Sequence, residues 1–471
     1  MRTGPALLTI RCRPPATWGS NVAERASALS LEQDVVEICQ NLLRIDTSNY
    51  GDNSGPGERK AAEYCAELLS EAGLACELFE AAPGRTSLVT RLAGADPSRP
   101  ALVVHGHTDV VPAQAADWTH PPFAGELIDG VLWGRGAVDM KDMDAMILAV
   151  VRNLVRTGRK PARDLIIAMF ADEEAGGVQG AQWAVQHRPE LFAGATEAIS
   201  EVGGYSVQIA GQRAYLVQTA EKGLAWLKLI ASGTAGHGSA INHDNAVTKL
   251  AQAVTAIANY QWPIRLIPTT KALLTGVAEL TGLPFHPAAD ADEAGDQLRD
   301  EVSALANAIG SGARFILPTV QTTANPSGLT AGYKVNVIPG EAQATIDMRP
   351  LPGDAETAKG VLKNLVGPDI SIEPIHEDIS VESPLDSPLV AAMAEAIHSQ
   401  DPGAPVLPYC LGGGTDNKSL SRLGITGYGF APLQLPPDLD FTGMFHGVDE
   451  RVPVSALHFG ARVLDEFLTI C

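Results

Sequence analysis

The chain has 471 residues, of which 45% are hydrophobic and 19% charged, and its formal net charge is −21 at pH 7. This length favours about two or three domains with enough core for stability without disulfides, and the composition excludes wholesale disorder and collagen-like repeats. No apolar run approaches the roughly eighteen residues of a membrane span. The acidity argues against nucleic acid as a partner, because binding to phosphates needs a basic face.

The cysteine spacing and the N-terminus bear on location. The six cysteines include no CxxC pair, which in a long chain favours reduced thiols in the cytoplasm. Arginines surround a short apolar run at 6–10, but a secretory signal needs about seven or more apolar residues. We therefore expect residues 1–30 to be a poorly ordered leader and the protein to be cytoplasmic.

Apolar periodicity predicts an α/β domain in the first part of the chain. Helical spacing begins at Leu31 and returns at 61–72, and the strongest helix is predicted over 140–157. Short apolar runs alternate with these helices, at 101–104, 165–170 and 198–199. This alternation indicates a buried, mostly parallel sheet with helices on both faces.

The pattern changes after Lys222 to that of an α+β domain. A strand is predicted at 224–231, a helix at 244–260, and a strand pair at 334–348 around the turn Pro339-Gly340. The first pattern returns near Ser387. We therefore expect a catalytic domain formed by residues 31–222 and 378–471, with a smaller α+β lid domain inserted at 223–377.

Polar side chains follow the apolar runs where strands are predicted to end. The run ALVVHGHTDVVP contains His107 and Asp109, which an extended chain places on one side, so that Asp109 can orient His107. Asp139 follows the glycines of GRGAVD and opens the strongest helix, a position that also suits an N-cap. The GxG of this segment lacks the third glycine of a dinucleotide fingerprint, which excludes that interpretation.

Further acids and a histidine complete the set of candidate ligands. Glu173 and Glu174 lie in ADEEAGG, Glu201 follows the run at 198–199, and His446 lies in FHGVDE. Taken singly, these are also typical of a solvated charge cluster or a buried, hydrogen-bonded histidine. Together, imidazoles and carboxylates without thiolates suit zinc, cobalt or manganese. A metal pair about 3.5–4 Å apart activates water and polarises a carbonyl.

The motifs resemble those of the metallohydrolase family of aminoacylases, acetylornithine deacetylases, succinyl-diaminopimelate desuccinylases and glutamate carboxypeptidases. The resemblance runs from about Leu31 to the C-terminus and rests on GHTDVVP, WTHPPFAG, GRGAVDMKD, ADEEAGG, GHGS, KVNVIPGEA, DMRPLPG and FHGVDE. GGTD at 413–416 and the run TTANPSGLTAGYKVNVIPGEAQAT are most similar to the carboxypeptidase S and N-acyl-amino-acid hydrolase branch. One position departs from that branch: Asn417-Lys418 follow GGTD, where an Arg is usual.

This resemblance implies a role for each candidate residue. The implied ligands are His107, Asp139 and Glu201 for one zinc ion, and Asp139, Glu174 and His446 for the other, with Co²⁺ or Mn²⁺ as alternatives. The implied catalytic residues are Glu173 as general base, Asp109 as the group that orients His107, and His237 of GHGS as the donor to the oxyanion. The implied substrate-binding residues are Arg349, Asn336, Gly413, Gly414 and Thr415.

The implied function is hydrolysis of the amide bond of a small N-acyl amino acid or peptide, next to a free carboxylate. Two zinc ions per subunit would activate the water, and Glu173 would take its proton. The implied partner is thus a small molecule, with neither nucleic acid nor membrane, and the lid domain allows a homodimer. Two alternatives stay open: hydrolysis of a ureido or amidine C–N bond, and a non-catalytic peptide-binding protein.

Overall fold

The structure, a computed structural model, describes residues 10–12, 29–287 and 295–471. The chain forms two compact units: the first contains the chain up to residue 218 together with 383–407 and 415–471, and the second contains 219–382 and 408–414. Most of the leader predicted at 1–30 lies outside the described residues. The roles of catalytic and lid domain, with their predicted boundaries, stay predictions.

The first unit is built on a sheet whose inner strands are parallel. In spatial order the strands are Ile10–Cys12, Cys76–Ala82, Arg85–Leu92, Leu165–Phe170, Ala101–His107, Ala195–Ser200, Thr426–Gly429 and Gln212–Glu221. Tyr205–Ile209 also pairs with the last of these. A smaller antiparallel sheet contains Glu126–Ile128, Val131–Trp133 and Arg451–Pro453. Ala101–His107 and Leu165–Phe170 are mostly apolar and buried along their whole length, as expected for strands that are buried on both faces.

Helices cover both faces of this sheet, and the predicted α/β class is confirmed. The helices are Leu31–Leu43, Arg59–Glu71, Lys141–Thr157, Ala181–His187, Pro388–Gln400, Asn417–Ser421 and Val454–Ile470. Ala181–His187 and Asn417–Ser421 share an apolar cluster with strand side chains such as Val103 and Ile166. Lys141–Thr157 packs against strand Ala101–His107 and against helix Leu31–Leu43, which Ser30 starts with a capping box.

The second unit is an α+β unit with an antiparallel sheet. Its strands are ordered Thr323–Ala331, Glu341–Arg349, Leu224–Ser232 and Ile370–Asp378, and its other strands are Gly236–His237, Val337–Ile338, Val381–Glu382 and most of Val406–Leu411. Its helices are Ala246–Asn259, Pro268–Thr281, Asp296–Asn307, Ala313–Ile316 and Ala355–Val366. Ala246–Asn259 and Ala355–Val366 share an apolar core with the sheet.

The strand pair predicted around Pro339-Gly340 is wrong. Val337–Ile338 pairs with Gly236–His237, whereas Glu341–Arg349 pairs with Thr323–Ala331 on one side and Leu224–Ser232 on the other. The physical reason is that both edges of Glu341–Arg349 already pair with long strands, so the backbone of 337–338 forms its hydrogen bonds with another strand.

Across the described residues, no helix combines the length and the apolar character that crossing a bilayer requires.

Candidate metal centre

Two histidines face the two oxygens of one carboxylate, that of Asp139. His107 Nε2 lies 3.1 Å from Asp139 Oδ1, and His446 Nε2 lies 3.3 Å from Asp139 Oδ2. Glu201 Oε2 is 3.6 Å from His107 Nε2, and Glu174 Oε2 is 3.0 Å from His446 Nε2. The five candidate ligands therefore converge as two sets that share Asp139.

Three of the five side chains follow neighbouring parallel strands. His107 ends strand Ala101–His107, directly opposite Phe170 of the adjacent strand, and Glu174 lies in the short turn that follows Phe170. Glu201 comes directly after strand Ala195–Ser200. Because parallel strands end at the same edge of a sheet, these side chains are brought together by the register of the sheet.

Asp139 and His446 come from loops. Asp139 stands just before helix Lys141–Thr157, and its peptide bond to Met140 is cis. Met140 occupies the N-cap position and no side chain caps the helix, so Asp139 is not the cap that its place in the sequence would allow. His446 has a positive φ of 57°, and its side chain is 58% exposed, whereas the side chains of the other four ligands are buried.

His107 Nδ1 faces Asp109, and its nearest contact there is with the main chain. His107 Nδ1 lies 2.9 Å from the carbonyl oxygen of Asp109 and 3.5 Å from Asp109 Oδ1. Donation from Nδ1 leaves Nε2 directed at Asp139 and Glu201, the usual arrangement of a metal-binding histidine. The carbonyl oxygen of Asp109, not its carboxylate, is the nearer acceptor, and the role of Asp109 in orienting the ring stays a prediction.

Glu173 lies at the edge of the same cluster. Its Oε2 is 3.9 Å from His107 Nε2. Burial, together with the charge of Glu201, raises the pKa of Glu173 well above its usual range. The pKa of Glu201 is raised to about 8, first by burial and also by repulsion from Asp139, with His107 opposing the shift.

The environment of these residues fits a bound cation. Burial lowers the pKa of His107, but the surrounding carboxylates, Glu201 foremost, outweigh it and hold that pKa well above its usual value. Burial raises the pKa of Asp139, but hydrogen bonds from the two histidines outweigh it and hold that pKa well below its usual value. Buried carboxylates at this spacing need a compensating positive charge. Two groups have ligand atoms within 4.8 Å of one another: His107, Asp139 and Glu174, and His107, Glu173 and Glu201. Imidazole nitrogen with carboxylate oxygen suits zinc, cobalt or manganese.

The remaining candidates lie in the second unit, except Thr415, which belongs to the first. His237 is exposed, and its Nδ1 lies 3.2 Å from the main-chain nitrogen of Ser239, which donates to it. Ser239 Oγ lies 2.8 Å from the same nitrogen. When Nδ1 accepts from the main chain, the proton of a neutral ring is on Nε2, which can then donate. Arg349 forms a two-point pair with Asp347, at 2.7 and 3.1 Å.

Asn336, Gly413 and Gly414 also lie in the second unit. The carbonyl oxygen of Asn336 accepts a hydrogen bond from the main-chain nitrogen of Gly238 at 3.0 Å, which ties it to the GHGS segment. Gly413 and Gly414 follow strand Val406–Leu411. Their roles at a substrate stay predictions.

A comparison of the chain with models of known protein families identifies its family. The family model of peptidase family M20/M25/M40 matches residues 103–470. The chain belongs to this family. It is therefore an enzyme, a hydrolase of the metallopeptidase type, and the resemblance read from its motifs is confirmed.

Several relatives of this M20 enzyme match most of its length. "Probable carboxypeptidase S-like 2" of Dictyostelium discoideum is 31% identical over 78% of this chain and 71% of its own. "N-fatty-acyl-amino acid synthase/hydrolase PM20D1" of Bos taurus is 30% identical over 82% of this chain and 77% of its own. "Aminoacylase-1" of Sus scrofa is 26% identical over 93% of this chain and 95% of its own.

A solved structure shares the fold. The M20 family metallo-carboxypeptidase Sso-CP2 from Sulfolobus solfataricus aligns with a TM-score of 0.68 over 93% of this chain and 99% of its own, at 16% identity. At that identity the match concerns the fold alone. It agrees with the α/β architecture of the first unit and the α+β architecture of the second.

The residue that departs from the carboxypeptidase S branch is turned inward in this M20 enzyme. Asn417 is 1% exposed, and its Oδ1 lies 2.9 Å from His105 Nε2. Burial lowers the pKa of His105 to about 4, so its ring is neutral near pH 7. Asn417 is therefore engaged in a buried hydrogen bond, and His105, which sequence reasoning gave no role, is its partner.

Sequence reasoning also missed Asn49 and Arg85. Asn49 Nδ2 donates to Asp109 Oδ2 at 2.8 Å, and Arg85 Nη2 donates to Asn49 Oδ1 at 2.8 Å. A weak signal was available, because only two residues separate the polar run DTSN from the end of the amphipathic helix Leu31–Leu43. The position of Arg85, at the start of a strand, carried no signal.

Proposed function

We propose that this M20 enzyme hydrolyses the amide bond of a small N-acyl amino acid or peptide next to a free carboxylate, with two zinc ions. The observation that carries the proposal is that the two oxygens of Asp139 face two imidazoles, each accompanied by a further carboxylate. His107, Asp139 and Glu201 would hold one ion, and Asp139, Glu174 and His446 the other. When bound, the ions polarise the scissile carbonyl and acidify water.

Glu173 is the general base in this proposal. It belongs to neither implied ligand set, and the neighbouring Glu174 is already engaged with His446 at 3.0 Å. The carboxylate of Glu173 also lies within 4.8 Å of ligand atoms of His107 and Glu201. In this proposal Glu201 binds the ion, and Glu173 beside it takes a proton from the attacking water and returns it to the leaving amine. Cobalt or manganese would satisfy the same ligands.

Residues of the second unit would recognise the substrate. His237 offers a donor at Nε2 that suits the oxyanion of a tetrahedral intermediate. Arg349 offers a planar fork that suits a carboxylate, and because Asp347 already occupies one side of the fork, a substrate carboxylate would use the rest. The other residues proposed to bind the substrate are Asn336, Gly413, Gly414 and Thr415.

The substrate class rests on the names of the relatives, which include an aminoacylase, a carboxypeptidase S-like protein and an N-fatty-acyl-amino acid hydrolase. Ureido or amidine hydrolysis and peptide binding without turnover are the alternatives.

We also propose a cytoplasmic homodimer formed through the second unit, where the outer strand Thr323–Ala331 exposes Leu329. Sedimentation analysis tests the dimer.

A substrate panel tests the function. Amine release is measured from N-acyl amino acids, dipeptides and ureido acids, with zinc, cobalt and manganese in parallel, and with Glu173→Gln as the matched variant. We expect release from one class that disappears in Glu173→Gln, while the metal content of the variant stays near that of the wild type. Normal turnover in Glu173→Gln would refute the assignment of the base, and a fully metal-loaded wild type that is silent across the panel would refute the substrate class.

A further inference from the structure

Asp109 is bonded to more than His107. Its carboxylate is fully buried and accepts hydrogen bonds from the main-chain nitrogens of Glu173 and Glu174, both at 3.1 Å, and from Asn49 Nδ2 at 2.8 Å. One carboxylate therefore ties the His107 strand end to the loop that carries Glu173 and Glu174.

The orientation of Asn49 is determined by its own partners. Its Oδ1 accepts from Arg85 Nη2 at 2.8 Å and from the main-chain nitrogen of Gly51 at 3.0 Å. An amide whose oxygen is occupied by donors must turn its NH₂ group to acceptors, and Nδ2 donates to Asp109 and to Asp172, the latter at 3.2 Å. Asn49 would present the wrong atom to Asp109 if this amide were reversed.

Arg85 is in turn held by a buried ion pair. Its Nη1 contacts Glu58 Oε1, and the side chains of Arg85 and Glu58 are 3% and 0% exposed. Two charged groups at this depth are costly to desolvate, and they are tolerated only when geometry and hydrogen bonding are good. The chain of contacts runs Glu58, Arg85, Asn49, Asp109, and each member is buried.

We propose that Asn49 and Arg85 are positioning residues, which act through Asp109 to hold His107 and Glu174 in the geometry that binds metal, and to hold Glu173 beside them. This proposal rests on the proposed function. Partners that orient metal ligands from behind typically contribute about 10–100-fold to metal affinity or activity. The carbonyl and the carboxylate of Asp109 both face His107 Nδ1, so a small displacement of residue 109 turns the ring.

The test uses the full chain with Co²⁺ as probe. Asn49→Asp has nearly the same shape but replaces the donor with an acceptor, and Arg85→Lys keeps the charge but loses the fork that reaches Asn49. Arg152→Lys is the matched control, because Arg152 forms a buried pair with Asp34, at 3.1 Å, in the same unit. The readouts are the Co²⁺ dissociation constant by chelator competition, the visible Co²⁺ spectrum, and the melting temperature of the metal-free protein.

We expect about 10–100-fold weaker Co²⁺ binding and an altered spectrum in Asn49→Asp and Arg85→Lys, with neither change in Arg152→Lys. Unchanged Co²⁺ affinity in both site variants overturns the positioning role while leaving the proposed function standing. Equal weakening in Arg152→Lys also overturns it, because the effect would then follow general stability. A wild type that binds no Co²⁺ overturns the proposed function and the positioning role with it.

Discussion

Arg135 and Glu450 form a buried ion pair between the segment that precedes Asp139 and the segment that follows His446. Their side chains are 4% and 0% exposed. Glu450 also accepts a hydrogen bond from the main-chain nitrogen of Gly136 at 2.7 Å. The two loops that supply Asp139 and His446 are thereby held to each other by one side chain.

Removing the Glu450 side chain should lower the stability of the fold. Glu450→Ala leaves the Arg135 guanidinium buried without its partner, for which we expect a loss of about 3–5 kcal/mol in stability. Denaturant unfolding of the metal-free protein measures it. Arg462→Ala, at the half-exposed pair with Glu32, is the control, with an expected change within about 1 kcal/mol. Equal effects in the two variants would contradict the bracing role of Glu450.

The role proposed for His237, donation to the oxyanion, predicts that His237→Ala lowers kcat by about a hundredfold or more, the usual effect of losing such a donor. Ser239→Ala should cost far less, because the main-chain nitrogen of Ser239 still donates to His237 Nδ1 and keeps Nε2 protonated. Steady-state kinetics on the active substrate class separates the two variants. A His237→Ala enzyme with unchanged kcat and raised KM would assign His237 to substrate binding instead.

Gly106→Ala should disturb the strand end that carries His107. A Cβ at Gly106 would lie 2.2 Å from Asp144 Oδ1 and 2.7 Å from Met140 Cε, so the buried neighbours must move. We expect a loss of about 1–3 kcal/mol from overpacking, with weaker Co²⁺ binding. Gly360→Ala is the control, because that helical position has nothing within 4 Å of the added carbon; it should gain up to about 1 kcal/mol.

Lys222 should make the stability of the enzyme depend on pH. Burial lowers its pKa to about 7, whereas the unfolded value is about 10.4. Between these values the unfolded chain binds more protons than the folded chain, so this residue makes stability rise as pH increases from about 7 towards 10. The melting temperature of the wild type relative to Lys222→Met should therefore rise between pH 7 and pH 9.

The Lys222→Met variant also loses hydrogen bonds from Nζ to the carbonyl oxygens of Pro318 and Gln321, at 2.7 and 2.9 Å. The loss of these hydrogen bonds lowers the melting temperature of Lys222→Met at every pH, and so adds a constant difference between the melting temperatures of the wild type and the variant. Lys271→Met, on an exposed position of the second unit, is the control for a changed net charge. A constant offset across the pH range would show that Lys222 keeps its charge when buried.

Much of the site was predictable because it follows from local patterns and the geometry of parallel strands. His107 ends a mostly apolar strand, Glu174 lies in the turn that follows another, and Glu201 comes directly after Ala195–Ser200; the ends of parallel strands meet at one edge. The fold class followed from the same alternation. The functional roles of these residues stay predictions.

Other features depend on contacts that no local pattern carries. Asn49 and Arg85 are 36 residues apart, and their hydrogen bond exists only because separate elements meet in the folded unit. The inward turn of Asn417 depends on His105, which lies 312 residues earlier. The partner of Val337–Ile338 was mispredicted for a related reason. Which strands pair depends on which edges of the whole sheet are free, and a local pattern does not show this.

The place of Thr426–Gly429 in the sheet has a consequence for biosynthesis. This strand lies between Ala195–Ser200 and Gln212–Glu221, and both neighbours are made long before it. A nascent chain that has not reached this strand leaves the edge of Ala195–Ser200 unpaired at residues 197–200, and an unpaired edge invites pairing with other chains. Most of the second unit, at 219–382, leaves the ribosome earlier. Chaperone demand and sensitivity to C-terminal truncation should therefore centre on the first unit.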